Sequence, residues 1–379
     1  MKVVIAPDKF KDALDAQSVG QSIKNGICRF DSSIETIVFP VSDGGEGLAE
    51  LLTFHGNGKV IEVEVNGPLF EKVRAKYGLS EDGNTAYMEM AQASGLQLVA
   101  PGKRDCMFTS TYGTGEMIID AYRKGARRII MGIGGSATND AEIGMATALG
   151  FKMIDKKGNE LKPIGSNLAK STSIRGEDLK INPDEMEVSI ACDVGNPLYG
   201  KNGAAHVYAS QKGASLHEIE ELDIGLRNFS GVVKNMFNMD VAGIPGSGAA
   251  GGLGAGCMVF LGGRLMNGID LFLKESGFGE VLDGCNLVIT GEGKIDAQTF
   301  QGKAIHGVCQ FAARKDIPVA ALCGKVETST DDISKIGLSY LSSVSRGPST
   351  LDEALKSSSE NLEFAAYNLM KIFMIKRSR

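Results

Sequence analysis

The chain has 379 residues, of which 43% are hydrophobic and 23% are charged, and its net charge is −6. Because a single hydrophobic core stops growing at about 250 to 300 residues, this length predicts two domains. The negative charge argues against nucleic acid as a partner, and the lack of a signal peptide or an apolar run of ~20 residues predicts a cytoplasmic protein without a membrane partner.

Six short runs rich in β-branched and apolar residues are predicted as strands. Each ends in a loop with glycine or acidic residues and then passes into a helical pattern, which is typical of βαβ units on a mostly parallel sheet. The runs are residues 3–6, 36–41, 128–133, 188–192, 287–290 and 319–323. After the first run, Asp15 is expected to cap a helix whose apolar face carries Val19, Ile23 and Ile27. The predicted fold class is α/β.

The pattern changes between residues 59 and 90, where strand-like runs are separated by turn signals at residues 66–68 and 82–84. Antiparallel pairing is favoured there. We interpret this change as the exit from a Rossmann-like parallel-sheet domain into a second, mixed α/β domain that is inserted into it. The predicted domains are residues 1–65 with 270–379, and residues 66–269.

A glycine loop follows the strand predicted at residues 128–133. Gly134, Gly135 and Ser136 lie between this strand and a stretch of small residues predicted as a helix, which Thr138 or Asn139 can cap. A strand, a glycine loop and a helix N-terminus together present free backbone N–H groups to one point, and this arrangement suits a phosphate. The alternative is a tight structural turn.

A second glycine cluster, at residues 246–256, contains a literal Gly-x-Gly-x-x-Gly. It does not follow a convincing strand, so the dinucleotide fingerprint lacks its required context. A close-packed helix or a nucleotide-facing loop explains it better, which makes Gly248, Gly251 and Gly252 candidates for cofactor binding. The chain contains no Walker A sequence, so ATP, if it binds, is not held by that type of P-loop.

Acidic residues stand where the predicted strands end, and lysines lie close to them in the sequence. Carboxylates that hold Mg²⁺ or accept a proton, beside lysines that neutralise phosphate oxygens, are what phosphoryl transfer requires. Any one of these residues could equally be a helix cap or part of a surface ion pair. The acids are Asp8, Asp43, Glu46, Asp193, Glu292 and Asp296, and the lysines are Lys9, Lys11, Lys201, Lys212, Lys294 and Lys303.

Seven short motifs, taken in order, resemble those of the bacterial glycerate kinase family, the type associated with 2-phosphoglycerate. They are APDKFK at 6–11, SDGGEG at 42–47, GIGGSATND at 132–140, DVGNPL at 193–198, QKGA at 211–214, GAAGG at 248–252 and TGEGKID at 290–296. The resemblance implies two α/β domains of different fold with the active site in the cleft between them. It also implies ATP, Mg²⁺ and the small-molecule substrate D-glycerate, and it leaves a homo-oligomer open.

These observations lead to a specific hypothesis for each candidate residue. The loop at Gly134, Gly135 and Ser136 would cradle phosphates, and Asp193 would accept the proton of the attacking hydroxyl or bind the metal with Glu292. The remaining catalytic candidates are Lys9 and Asp296, and the candidates for substrate binding are Asp8, Lys11, Asp43 and Lys294.

Two other functions are compatible with part of the sequence. A nicotinamide-dependent dehydrogenase would use the glycines of the 246–251 pattern, and a non-catalytic solute-binding protein would use the two-domain architecture. The dehydrogenase hypothesis lacks a strand before the glycine pattern and a helix after it in the arrangement that binds a dinucleotide. The hypothesis of a solute-binding protein lacks the export signal that usually accompanies such proteins.

Overall fold

The computed structural model describes residues 1–296 and 303–375, and it divides the chain into two compact units. The discontinuous unit consists of Met1–Asp43 and Ile269–Arg379, and the inserted unit of Gly44–Gly268. Within the described residues, no helix is long and apolar enough to cross a membrane.

The strands in chain order are β1 Lys2–Pro7, β2 Glu35–Val38, β3 Lys59–Asn66, β4 Lys72–Leu79, β5 Thr85–Glu89, β6 Arg128–Gly132, β7 Lys152–Asp155, β8 Ser171–Arg175, β9 Glu187–Ala191, β10 Arg264–Met266, β11 Leu287–Gly291, β12 Lys294–Ile295, β13 Val319–Cys323, β14 Lys325–Val326 and β15 Tyr340–Ser343. The α-helices are α1 Ala16–Phe30, α2 Leu48–His55, α3 Ala91–Ser94, α4 Tyr112–Arg123, α5 Ile143–Leu149, α6 Leu216–Phe237, α7 Ala249–Leu261, α8 Gly268–Glu275, α9 Phe278–Val281, α10 Ala304–Ala313, α11 Thr330–Ile336, α12 Leu351–Lys356 and α13 Ser358–Ile375.

The discontinuous unit is a doubly wound, Rossmann-like domain. Its five strands are all parallel and lie in the order β15-β13-β11-β1-β2. Helix α1 begins after Asp15, whose carboxylate accepts a hydrogen bond from the N–H of Ser18, and its apolar face packs on the sheet and on α13. Helix α10 packs against α8. The structure confirms the predicted α/β class and the cap at Asp15.

The predicted strands are present with bounds that differ by at most one residue, except for β2. This strand ends at Val38, although the N–H groups of Phe39 and Val41 still donate to Ile5 and Pro7 at 2.7 and 2.9 Å. Pro40 lies between them, and its missing N–H would point away from β1 toward the open edge of the sheet, where β2 is the last strand. The remaining bonds carry the chain to the carboxyl end of β1, so that Asp43 arrives beside Asp8.

The inserted unit contains a mixed six-stranded sheet in the order β10-β9-β6-β5-β4-β3. Strands β10, β9, β6 and β5 are parallel, whereas β3 and β4 form an antiparallel pair, as the pattern between residues 59 and 90 predicts. A separate antiparallel pair, β7 with β8, lies outside this sheet. Helices α4, α5, α6 and α7 contribute to one continuous core with the sheet.

The chain leaves the discontinuous unit earlier than the predicted boundary at residue 65. The two units divide between Asp43 and Gly44 and again between Gly268 and Ile269. The physical reason is the pairing of β3, which is hydrogen-bonded to β4 from Lys59 to Asn66 and therefore belongs to the sheet of the inserted unit.

Candidate active site

Three carboxylates meet at the carboxyl end of the parallel sheet in the discontinuous unit. Asp8 follows β1 and donates its N–H to the carbonyl of Gly291 at 2.9 Å. Glu292 follows β11 and is only 8% exposed. Asp43 reaches the same place through the extension of β2. In a parallel sheet the carboxyl ends of adjacent strands lie together, which is why these acids, far apart in the chain, become neighbours.

Burial and the neighbouring acids change the ionisation of Asp8. Its pKa is raised to about 7, first because the carboxyl group is withdrawn from water, and second because the carboxylates of Asp43 and Glu292 lie near it. The N–H and the ammonium group of Lys9 act in the opposite direction. A half-buried carboxyl with negative neighbours and a pKa near neutrality is typical of a functional site.

We expect Asp8 to make folding stability depend on pH. The pKa of Asp8 is higher in the folded chain than its usual value of 3.8, so its ionisation destabilises the folded state progressively from about pH 4 to about pH 7. Asp8→Asn should therefore raise the melting temperature more at pH 8 than at pH 5, measured by calorimetry without Mg²⁺. The exposed Asp12→Asn is the control, and an equal gain for Asp8→Asn at both pH values would contradict the expectation.

A two-stranded parallel ribbon, β12 with β14, lies next to these acids in the chain. Lys294 forms ion pairs with Asp296 at 3.2 Å and with Glu327, and Glu327 also pairs with Lys325. The two carboxylates raise the pKa of Lys294. Two predicted site residues, Lys294 and Asp296, are thus paired with each other in a partly exposed network.

The discontinuous unit contains a cavity of about 1000 Å³. All seven site residues that the sequence predicts in this unit line it, and Lys303 and Lys325 add two further cations. The seven are Asp8, Lys9, Lys11, Asp43, Glu292, Lys294 and Asp296.

The donors in this cavity fit a magnesium ion that is bound together with a phosphate group. Within residues 1–296 and 303–375, no group of three or more His, Cys, Asp or Glu side chains is placed to hold a metal ion by itself. Mg²⁺ usually binds one or two protein carboxylates and fills its other positions with water and phosphate oxygens. One or two of Asp8, Asp43 and Glu292 could supply oxygen donors of that kind, since the carboxylates of Asp43 and Glu292 lie close enough to Asp8 to contribute to its raised pKa, after burial.

The predicted glycine loop lies in the inserted unit and is open to solvent at Gly134 and Gly135. Gly135 has a φ of +74°, a conformation that side chains other than glycine rarely adopt. Within the described residues, the backbone N–H groups of Gly134, Gly135 and Ser136 donate no hydrogen bond. Successive free N–H groups in a turn form a concave site for an anion. The geometry therefore supports the phosphate-binding interpretation of this loop.

The predicted helix does not begin directly after the loop. Helix α5 starts only at Ile143, and neither Thr138 nor Asn139 caps it. Their side chains are buried and form no hydrogen bond with any described residue. Asp140 instead accepts hydrogen bonds from Gly144 and Thr111 at the starts of α5 and α4. The helix dipole that the sequence suggests is consequently not available at Ser136.

Lys212 lies beneath the glycine loop and is only 2% exposed. Its Nζ donates to the Oγ of Ser136 and to the carbonyl of Thr138, both at 2.6 Å. Burial lowers the pKa of this lysine to about 8. The sequence groups Lys212 with lysines that could neutralise phosphate, whereas the structure places it inside the protein. No sequence pattern distinguishes it from exposed neighbours such as Lys201.

We expect Lys212→Met to loosen the glycine loop. Methionine can fill the buried space but cannot donate, and each hydrogen bond from a charged group contributes about 1.5 to 3 kcal/mol. The hydrogen-bonded amides of Leu96, which donates to Gly135, and of Ala137, which donates to Ser94, should exchange faster with deuterium. The value of kcat/KM should fall by roughly 10- to 100-fold. Lys201→Met, at an exposed position, serves as the control. Unchanged exchange in folded Lys212→Met would mean that other contacts hold the loop.

The second glycine cluster forms the start of α7. Gly251 has a φ of +81°, and a Cβ there would lie 2.1 Å from the carbonyl oxygen of Thr138. Gly248 and Gly252 are also buried against backbone atoms. The structure thus gives Gly248, Gly251 and Gly252 a packing role rather than a ligand-facing one. No strand leads directly into the Gly-x-Gly-x-x-Gly pattern. The strand that comes before it in the chain, β9, ends at Ala191, and helix α6 lies between the two.

Asp193 lies just after the end of β9 in the inserted unit, at the predicted strand end, and it is exposed. Its Oδ1 accepts a hydrogen bond from the N–H of Gly268, the first residue of α8, at 2.7 Å. A carboxylate in this position stabilises a helix N-terminus. Asp193 therefore has a structural partner in addition to the predicted role in catalysis or metal binding.

Comparison with known proteins gives a consistent result. The model of the glycerate kinase family matches residues 3–374. A glycerate kinase of Bacillus cereus is 42% identical over 99% of this chain and 98% of its own, and the glycerate 2-kinase of Escherichia coli is 42% identical over 97% of both chains. A crystal structure described as a candidate glycerate kinase 2 of Salmonella typhimurium superimposes with a TM-score of 0.91 and 39% identity, and covers 100% of both chains. The chain therefore belongs to the glycerate kinase family.

Proposed function

We propose that this protein transfers the γ-phosphoryl group of ATP to the 2-hydroxyl of D-glycerate with the help of Mg²⁺, and that it does so in the cytoplasm. The observation that carries the proposal is the meeting of Asp8, Asp43 and Glu292 at one strand edge, in a cavity that lysines also line. This combination of acids and cations can hold a metal–polyphosphate complex. The relatives named glycerate kinase and glycerate 2-kinase support the choice of substrate and product.

Each group of residues has a distinct task in the proposed reaction. One or two of the carboxylates of Asp8, Asp43 and Glu292 would hold Mg²⁺ together with phosphate oxygens and water, and the ion would supply charge neutralisation at the phosphate oxygens. Lys9 and Lys11 attract phosphate oxygens and restrict their orientation. Because the transition state of phosphoryl transfer is loose, this positioning and charge compensation supply most of the catalysis, and no covalent intermediate on the protein is needed.

The inserted unit supplies an oxyanion site and a proton acceptor. The free N–H groups of Gly134, Gly135 and Ser136 bind an oxyanion, either a phosphate group or the carboxylate of glycerate. Asp193 accepts the proton of the 2-hydroxyl as that oxygen attacks phosphorus. A carboxylate suits this task because the proton becomes more acidic as the bond to phosphorus forms.

A single assay with product identification tests the proposal. The protein is incubated with D-glycerate, ATP and Mg²⁺, ADP is measured, and the product is identified by phosphorus NMR. We expect ADP to form only when all three are present, with 2-phosphoglycerate as the main product. Mainly 3-phosphoglycerate would contradict the choice of hydroxyl, and no D-glycerate-dependent ADP would contradict the kinase reaction itself.

A further inference from the structure

The cavity in the discontinuous unit is larger than D-glycerate requires. At about 1000 Å³ it is at the upper end of the range for pockets that enclose drug-sized ligands, roughly 300 to 1000 Å³. It reaches from the ends of β1 and β11 to residues that follow β13 and β15. These are three strand intervals, or roughly 14 Å at about 4.8 Å each. A three-carbon acid cannot extend over that distance.

The two ends of the cavity differ in chemistry. The end at β1 and β11 carries Asp8, Lys9 and Glu292 and is charged. The end beyond β15 has an apolar wall in which Val344 is 6% exposed and Leu351, the first residue of α12, is 73% exposed, with Leu355 on the same helix. Several apolar side chains that line one end of a pocket suit the apolar part of a ligand.

The topology of the sheet indicates which kind of ligand would occupy both the charged and the apolar end of the cavity. In the order β15-β13-β11-β1-β2 the chain reverses its direction of winding between β1 and β11. Open α/β sheets bind ligands outside the carboxyl ends of the strands at such a switch point, and nucleotides are frequent ligands there. The charged end of the cavity lies at this point, and the apolar end lies to the side of β15.

We propose that the nucleoside of ATP binds in the apolar end of this cavity, with adenine against Val344, Leu351 and Leu355 and with the polyphosphate directed to Lys9 and the carboxylates. This inference rests on the proposed kinase function and assigns the cavity to the nucleotide rather than to glycerate. Asp8, Lys11, Asp43 and Lys294, predicted to bind the substrate, then face the phosphate and metal end. The oxyanion that the glycine loop binds is in that case the carboxylate of glycerate.

Charge substitutions in the apolar wall test the location of the nucleoside. Leu355→Glu and Leu351→Glu should each weaken MgADP binding at least tenfold by calorimetry. They should raise the KM for ATP by a similar factor, with kcat and the KM for D-glycerate within threefold of wild type. Ile372→Glu is the matched control, because Ile372 is 59% exposed on α13 of the same unit and does not line the cavity. Unchanged MgADP affinity in both variants, or a rise in the KM for D-glycerate alone, would overturn the assignment.

Hydrogen exchange of the wild-type protein gives an independent result that needs no variant. MgADP should protect amides of residues 343–355, and D-glycerate should protect amides 134–138 instead. If MgADP protects 134–138 and leaves 343–355 unchanged, the nucleoside site is wrong although the kinase function stands. If the wild-type protein binds MgADP by neither method, the proposed function fails together with this inference.

Discussion

Asp193→Asn is expected to lower kcat by about 10²- to 10⁴-fold, equivalent to roughly 3 to 5 kcal/mol of activation barrier. The reason is that asparagine cannot accept the proton of the attacking hydroxyl. Its side-chain oxygen can still accept the hydrogen bond from the N–H of Gly268, so the link to α8 is preserved. The KM for ATP should remain close to that of wild type, as steady-state kinetics would show.

Comparison with Asp193→Ala separates catalysis from helix capping. Alanine removes both the carboxylate and the acceptor for Gly268. If Asp193 only caps α8, the asparagine variant should be fully active and the alanine variant should have a lower melting temperature. If Asp193 instead binds Mg²⁺, raising the metal concentration should partly restore the activity of the asparagine variant. If both variants fold and turn over at a rate near that of wild type, Asp193 is neither the proton acceptor nor a ligand of Mg²⁺.

Glu292→Gln is expected to produce the second large effect, on metal dependence. Loss of the charge should raise the Mg²⁺ concentration needed for half-maximal activity by about 10- to 100-fold or more and should lower kcat/KM. A measurement independent of activity is the rise in melting temperature when Mg²⁺ and ADP are added. That rise should be clear for wild type and small for Glu292→Gln.

Glu327→Gln is a suitable control for this experiment. Glu327 also carries a negative charge near the cavity, but it pairs with Lys294 and Lys325 and does not line the cavity. Its replacement should leave the Mg²⁺ dependence within a few-fold of wild type. If the two variants behave alike, the effect of Glu292 reflects the net charge of the region, and its role as a metal ligand is excluded.

The fold class and most local structure could be predicted from the sequence because they depend on neighbours in the chain. The β-branched runs predict the strands, the spacing of Val19, Ile23 and Ile27 predicts the buried face of α1, and Asp15 predicts its start. The same apolar runs predict that Asp8 and Glu292 stand directly after strands. The seven ordered motifs indicated the family that the comparisons then showed.

The composition of the candidate site was decided by tertiary structure. Asp8 and Glu292 become neighbours only because β1 pairs with β11, which is more than 200 residues away in the chain. Asp193, by contrast, follows β9, which belongs to the sheet of the inserted unit. Strand pairing depends on long-range packing, and no local propensity encodes which acids will share an edge.

Burial is the other property that the sequence did not reveal. Lys212 and Lys201 are similar in sequence context, yet one is enclosed under the glycine loop and the other is exposed. Gly251 fits a nucleotide-binding pattern, but the backbone at Thr138 occupies the space beside it. The sequence by itself determined which residues could bend, cap or carry charge. Only the packing of distant segments decided which of them face a ligand and which support the fold, because burial depends on contacts that the chain makes after it has folded.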